Sequence, residues 1–409
     1  MRYGGAVVTP WPSGSGTNES PTNLRTLGRV RVLEALTEAG RLSRPDLTRR
    51  TGLARATVSS VLSDLIAAGT VSDEEPQGDD RAPQNGRPAR LLTLAPAAAY
   101  ALGIDIGHDH VRCMLCDLSG RPRWDRQVSL AVDDAPGDAL RLATDLIAEA
   151  TADLPGNRVL GVGVGIACPV DQRTGTLYAE GIMPGWVDVR PIDELTATTG
   201  HPVRIINDAN AGVLAESRYG VAQHSRDTIY LRVSPGIGLG VISAGRMLLG
   251  ARGLAGELGH VSVDAGGDIC RCGNRGCLET VASPAAVARL LSRSWSRTVT
   301  TGELIELIDA ADRGALRALG DAADAIGRAL AATIMILNPQ QVVVGGELAA
   351  AGEALLEPLR QAIQRNTMRS HLRSLDVTAG DLGDSAGVRG AAALVLIDAP
   401  QRLADALAG

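Results

Sequence analysis

The chain has 409 residues, 45 % hydrophobic and 21 % charged, with a formal net charge of −6; this suffices for two or three domains with buried cores, and the acidic balance excludes wholesale coating of nucleic acid while allowing a local basic face. No lysine occurs, so all 40 basic residues are arginine, which excludes a Walker-type Gly-Lys-Ser/Thr loop and a Schiff-base lysine and leaves any phosphate site to backbone N–H groups, arginine or a metal. Phenylalanine is absent and aromatics make up 2 %, so stacking platforms for single-stranded nucleic acid are not expected.

The longest apolar runs, near 159–170 and 329–337, fall short of the roughly 18 residues a membrane span needs. The start of the chain lacks a charged-then-apolar signal pattern. Six cysteines in so long a chain do not form a disulfide framework. Three of them cluster, which favours metal binding in a reducing cytoplasm.

Residues 1–22 are rich in Gly, Ser, Thr and Pro and read as a flexible tail. Residues 23–95 read as a domain of three helices and a hairpin. Leu27, Val30, Leu33 and Leu36 mark a first helix ending near Gly40. Ser43 and Asp46 form a capping box for a second helix that stops at Gly52. Val58, Val61, Leu62, Leu65 and Ile66 give a third helix an apolar stripe. A short strand at 70–72, a polar stretch and a strand at 91–94 complete a winged helix-turn-helix pattern. Arg55, Thr57, Ser59, Ser60 and Ser63 lie off the stripe of the third helix and are candidate contacts to double-stranded DNA. From Leu24 to Leu62 eight arginines face three acids, a local +5 that suits a phosphate surface. Arg87, at the tip of the wing, could enter a minor groove. A protein-interaction module with a solvated basic face is the alternative.

From about Ala98 onward strands and helices alternate, which predicts an α/β region. Strand-like segments fall at 100–106, 111–117, 159–167, 203–206, 228–233, 240–243 and 341–344, and helix-like ones at 138–152, 209–219, 284–292 and 320–337. Asp105 and Gly107 end one strand, where a carboxylate can hold a metal–water cluster beside a phosphate. Gly236 and Gly238 follow another and could offer backbone N–H groups to phosphate, or simply form a hairpin. Gly345 and Gly346 would admit a flat base. Asn207 and Asp208 end a further strand; Asp208 could take a proton from a sugar hydroxyl, or the pair could cap the next helix.

His260, Cys270, Cys272 and Cys277 supply three thiolates and one imidazole, a closed tetrahedral set suited to structural Zn2+. Glu257 precedes His260 by three residues and Glu279 follows Cys277 by two, so a metal loop would orient His260 and Glu279 together. Cys113 and Cys116 lie in a strand-like run whose alternation points them to opposite faces, and they read as core residues.

These pieces in this order resemble the ROK family of repressors and sugar kinases. The likeness rests on Glu257-Leu-Gly-His260 with Cys270-Arg-Cys-Gly-Asn-Arg-Gly-Cys277-Leu-Glu279, on Gly165-Ile-Ala-Cys-Pro-Val-Asp171, Pro184-Gly-Trp186, Asn207-Asp-Ala-Asn210 and Gly345-Gly346. It implies an N-terminal winged helix-turn-helix domain followed by a two-lobed α/β actin-like ATPase fold of the hexokinase/Hsp70 type. The lobes would span 96–222, with 386–409 returning to it, and 223–385. It also implies that Asn207, Asp208, Glu257, His260 and Glu279 hold sugar hydroxyls. Asp208 would be the catalytic base, with ATP and Mg2+, only in a kinase.

Where family kinases carry Asp-x-Gly-Gly-Thr-Lys, this chain has Asp105-Ile-Gly-His-Asp-His110; where they carry Gly-Thr-Gly-Ile-Gly, it has Ser234-Pro-Gly-Ile-Gly238. The added carboxylate and the lost donor disfavour ATP. The expectation is a cytoplasmic, sugar- or sugar-phosphate-responsive regulator, homodimeric or homotetrameric, that binds operator DNA and no membrane, with a hexose kinase as the alternative.

Overall fold

The computed structural model describes residues 21–74, 90–154 and 158–408. Arg87 and the tail at 1–20 lie outside them. The first domain comprises α1 (Pro21–Ala39), β1 (Arg41–Ser43), α2 (Arg44–Thr51), α3 (Arg55–Ala67), β2 (Val71–Glu74) and β3 (Leu91–Leu94). Its three strands run antiparallel in the order β1–β3–β2. The Ser43 side chain accepts from the Asp46 N–H, Pro45 sits in the first turn of α2, and Gly52 closes the helix at φ 69°, a left-handed conformation that suits glycine. Leu33, Leu47, Leu62, Leu65 and Leu92 are fully buried between these elements.

The α/β region begins with β4 (Tyr100–Ile106), β5 (His110–Asp117), β6 (Pro122–Ser129), α4 (Pro136–Thr151), β7 (Val159–Ile166), β8 (Val170–Asp171), β9 (Thr176–Leu177), α5 (Pro191–Thr199), β10 (Val203–Asn207) and α6 (Asp208–Tyr219). Five strands form one mixed sheet in the order β10–β7–β4–β5–β6. The second half holds β11 (Thr228–Val233), β12 (Ile237–Ser243), β13 (Arg246–Met247), α7 (Leu278–Ala282), α8 (Pro284–Trp295), α9 (Thr301–Asp309), α10 (Arg313–Leu337), β14 (Gln341–Gly345), α11 (Glu353–Asn366), α12 (Arg369–Leu372) and β15 (Asp376–Ala379). Its sheet runs β13–β12–β11–β14–β15. The chain ends with α13 (Ala386–Leu396) and α14 (Ala399–Ala406).

Two helices lie between the sheets. α13 packs on β4 and β7, and α6 packs on α13 and on β11 and β12. Small residues permit this: a Cβ on Gly163 would stand 1.8 Å from the Ala391 carbonyl oxygen, and one on Gly390 1.9 Å from that of Ala211. α6, which precedes the proposed boundary at 222, therefore packs against the second sheet. α14 continues to the first domain, where Ala404 is fully buried in the core of α1–α3. Cys113 and Cys116 are buried on opposite faces of β5, one towards α4 and the other towards α13. Strand β12 starts at Ile237, three residues before the expected 240. Gly240 is needed there because a Cβ would meet the Ala209 carbonyl oxygen at 2.2 Å.

Candidate ligand cleft, metal cluster and DNA-facing helix

Between the two lobes lies a cleft of about 550 Å³, open mouth included, lined among others by Asn207, Asp208, Arg232, Glu257, His260 and Glu279. Each comes from the end of a regular element. Asn207 closes β10 and caps α6: its side-chain oxygen accepts from Ala209 N–H at 3.0 Å and Asn210 N–H at 3.3 Å. Its amide donates to the Cys168 carbonyl at 3.3 Å and to Asp208 at 3.0 Å. The capping role and the cleft position thus coexist in one residue.

Three carboxylates share the cleft, and two have an arginine. Asp208 Oδ2 accepts from Arg232 Nε at 2.7 Å. Glu279 Oε1 accepts from Arg271 Nε at 2.9 Å, and its other oxygen takes the Ile237 N–H at 3.3 Å. Glu257 has neither. Burial, then the charges of Asp208 and Glu279, push its carboxyl up to about 7. A half-buried carboxyl with no partner among the described residues calls for a ligand that donates hydrogen bonds.

One ring nitrogen of His260 and the sulfurs of Cys270, Cys272 and Cys277 all lie within 4.8 Å of one another. The Cys272–Cys277 sulfurs are 3.7 Å apart and Cys270 Sγ is 3.6 Å from His260 Nδ1. A tetrahedral zinc with bonds of ~2.3 Å to sulfur and ~2.05 Å to nitrogen has edges of about 3.8 and 3.6 Å, so the donor set fits that ion. Gly276 makes the turn possible: its φ is +64° and a Cβ would stand 1.5 Å from the Asp264 carbonyl oxygen. Metal on Nδ1 leaves Nε2 of His260, which lines the cleft.

In the glycine-rich segments several backbone donors are engaged within the protein. Ser234 N–H is turned onto the Gly236 carbonyl at 3.0 Å, Pro235 has no N–H, and Ile237 N–H goes to Glu279. Gly238 sits inside β12 opposite Arg232. Gly345 ends β14 because a Cβ would come 2.0 Å from the Tyr230 hydroxyl. Gly346 follows at φ +86°. Asp105 is buried with one oxygen lacking any hydrogen-bond partner, and His110 Nε2 stands 3.7 Å from the other. The Asp105 carboxylate beside it outweighs burial and raises the His110 imidazole to about 9, with Asp109, 2.8 Å from Nδ1, adding to the shift. A Cβ on Gly107 would clash with that ring at 2.4 Å. The His110 ring thus lies within the first loop.

On α3, Arg55, Thr57, Ser59, Ser60 and Ser63 are exposed, while Val58, Val61, Leu62 and Leu65 are buried. Sequence reasoning missed Arg232, Arg271 and Arg29. Arg29 is 8 % exposed; it donates to Asp64 at 3.0 Å and to the Leu407 carbonyl at 2.8 Å. A polar residue inside the apolar face of α1 was the available signal.

The sequence model of the MarR family matches residues 25–82. A xylose repressor of Caldicellulosiruptor bescii is 29 % identical over 92 % of this chain and 97 % of its own. A glucokinase of Thermotoga maritima is 33 % identical over 72 % of this chain and 96 % of its own. The crystal structure of a ROK family transcriptional regulator, homologous to the Escherichia coli MLC protein, superposes with a TM-score of 0.79 at 25 % identity, covering 94 % of this chain and all of that one. With the ROK family model matching residues 101–397, behind a winged helix and across both lobes, this chain belongs to the ROK family.

Proposed function

We propose that the protein is a sugar-responsive, DNA-binding transcriptional regulator, a repressor of carbohydrate genes acting in the cytoplasm. The observation that carries this reading is the joint presence, in one chain, of a recognition helix with an exposed polar face, set in a locally basic segment, and a cleft rich in hydrogen-bond acceptors. The names of the full-length relatives, xylose repressors and an N-acetylglucosamine repressor, support it.

In this reading α3 enters the major groove, with Arg55 pairing to a guanine edge and Thr57, Ser59, Ser60 and Ser63 meeting bases or phosphates. A homodimer or homotetramer places two such helices on a two-fold operator. Asn207, Asp208, Glu257, His260 and Glu279 hold the sugar. His260, Cys270, Cys272 and Cys277 hold a structural zinc, which supplies a fixed strut for His260 and Glu279 and no chemistry of its own. A sugar touching both lobes favours their closed arrangement. Closure moves α13 against its sheet, and α14 carries the displacement into the winged domain.

The opposing reading, an ATP-dependent hexose kinase, draws on Asp208 at the mouth of α6 and on the glucokinase relatives. Three features count against it: Arg232 neutralises Asp208, the His110 ring lies in the first loop, and in the second loop the Ser234 and Ile237 N–H groups are engaged within the protein. The deciding experiment is a gel shift of the purified chain on its own upstream DNA, with and without a panel of sugars and sugar phosphates, beside a coupled ADP-release assay. Selective retardation that a sugar alters, with no turnover, is the expected result. Rapid hexose phosphorylation abolished by Asp208→Asn, with no selective grip on DNA, overturns it.

A further inference from the structure

His108 and Arg232 reach the cleft from opposite lobes, and neither belongs to the set assigned above. His108 stands where family kinases carry a glycine. Its Nδ1 is 2.7 Å from Asp133 Oδ1, so that nitrogen donates to the carboxylate, and in the doubly protonated ring Nε2 donates to an anionic ligand. Asp133 is itself held, since its carbonyl accepts the Gly185 N–H at 2.9 Å.

Arg232 is engaged on one edge only. Its Nε donates to Asp208, and neither terminal nitrogen has a hydrogen-bond partner among the described residues. Asp105 and Glu347 also act on its charge, but Asp105 has His110 beside it. A half-buried guanidinium with a bare fork, facing a cleft, matches the oxygens of an anion. The nearby backbone adds little to it, because the Ser234 and Ile237 N–H groups are already engaged and Pro235 has none, which leaves the Gly236 N–H. With no lysine in the chain, these two side chains supply charge from both lobes, and Arg271, held by Glu279 through its Nε, stands near Gly236.

We propose that His108 and Arg232 form a seat for the phosphate of a sugar phosphate, esterified on the carbon whose hydroxyl would face Asp208. This rests on the reading of the cleft as a sugar site and narrows it to a phosphomonoester. The sugar ring keeps Glu257, His260 and Glu279, and the phosphate lies between the imidazole of one lobe and the guanidinium of the other. Such a ligand bridges the lobes by charge, which a neutral sugar does not.

The test compares each sugar with its ester on the full chain by calorimetry: glucose with glucose 6-phosphate, N-acetylglucosamine with its 6-phosphate, xylose with xylose 5-phosphate. In at least one pair the ester binds about tenfold or more tightly, the range of one or two charge-assisted hydrogen bonds. Arg232→Gln and His108→Gln each bring that ester-to-sugar ratio down about tenfold, and Arg232→Lys restores part of it. Asp208→Asn raises the ratio, because it removes a repelling carboxylate and frees the guanidinium. Because the readout is a ratio, a general loss of affinity does not imitate it, and His108→Gln stands in if Arg232→Gln does not fold. A free sugar that binds as well as its ester, or a preference that survives both substitutions, overturns the phosphate seat and leaves the sugar-responsive regulator standing. Silence towards all six compounds overturns both.

Discussion

Glu257 is the residue whose charge the fold leaves unmatched, and its titration has a calculable sign. Its carboxyl rises from a usual 4.5 to about 7, so between those values the folded protein holds a proton that the unfolded chain has lost. Stability then falls as pH rises through this window. The penalty is absent below pH 4.5 and complete above 7, and a shift of this size corresponds to at most about 3 kcal/mol. Glu257→Gln should therefore raise the Tm of the ligand-free protein at pH 8 and flatten its slope between pH 5 and 7, while weakening sugar binding about tenfold or more. An unchanged slope in thermal melts counts against an uncompensated carboxyl. On the other face of the molecule, Arg55→Ala should weaken operator binding by about 1–3 kcal/mol, as expected for a base contact. It should leave the sugar affinity as it was. Equal loss of DNA binding in Arg55→Ala and Glu257→Ala contradicts the division of labour between helix and cleft. At this scale the metal ligands were legible because Cys270, Cys272 and Cys277 sit within eight residues and their chemistry needs no tertiary information. Arg232 was not, because its partner Asp208 is 24 positions away and meets it only once α6 lies across β11.

At the scale of elements, the zinc loop and the last helix each make a claim. The loop has little regular structure; two isolated bridges, Ser262 with Cys277 and Ile269 with Arg275, are joined by turn bonds such as Cys270 N–H to the Asn274 carbonyl at 2.7 Å. The proposed metal would add to that order, since structural zinc contributes to folding directly. Cys272→Ser, or chelation of the wild type, should lower the Tm and abolish sugar binding together, and metal analysis of the native protein should find one zinc per chain. Zinc-free protein with intact sugar affinity would end that account. The last helix, α14, lies between α1 and the first lobe. Arg402 donates to the Leu160 carbonyl at 2.6 Å, Arg204 pairs with Asp398 at 2.6 Å, and Arg29 reaches Leu407. Ala404→Glu places a charge in the fully buried seat against α1 and should cost several kcal/mol of docking. The expected outcome is a protein that still binds sugar but whose operator affinity no longer answers to it, read by gel shift with and without ligand. Helices α2 and α3 were legible from caps and periodicity alone, and the capping box of Ser43 with Asp46 is formed. The partnership of α14 with α1 was not. Both helices carry apolar residues that a sequence reading assigns to the nearest core, and 378 positions separate Arg29 from Leu407.

Across the whole molecule, the two sheets share no strand pairing and are coupled through α6 and α13. Glu216 of α6 fastens the far side: fully buried, it accepts the Val221 N–H at 3.1 Å and the Leu382 N–H at 3.0 Å. A hinge built on two packed helices allows small sliding motions without breaking a sheet. Sugar binding should therefore change the spacing of paired winged domains more than the structure of either lobe. Sedimentation of the free chain should show a dimer or tetramer, and small-angle scattering a change in maximum dimension on adding ligand. A monomer that binds a half-site with full affinity excludes the two-fold arrangement. The alternation of strands and helices announced the α/β class. It could not announce that α6, contiguous in sequence with the first sheet, would pack on the second, because glycines at 163, 240 and 390 decide that by how closely backbones approach.

The burial of Ala404 in the core of the first domain has a consequence for synthesis. The wall that closes this core comes from α14, which the ribosome adds only after both sheets. A chain cut short before α14 thus presents α3 on an unfinished support. On the function proposed above, such a fragment should grip DNA poorly, so that the winged domain works only in molecules that also carry the cleft.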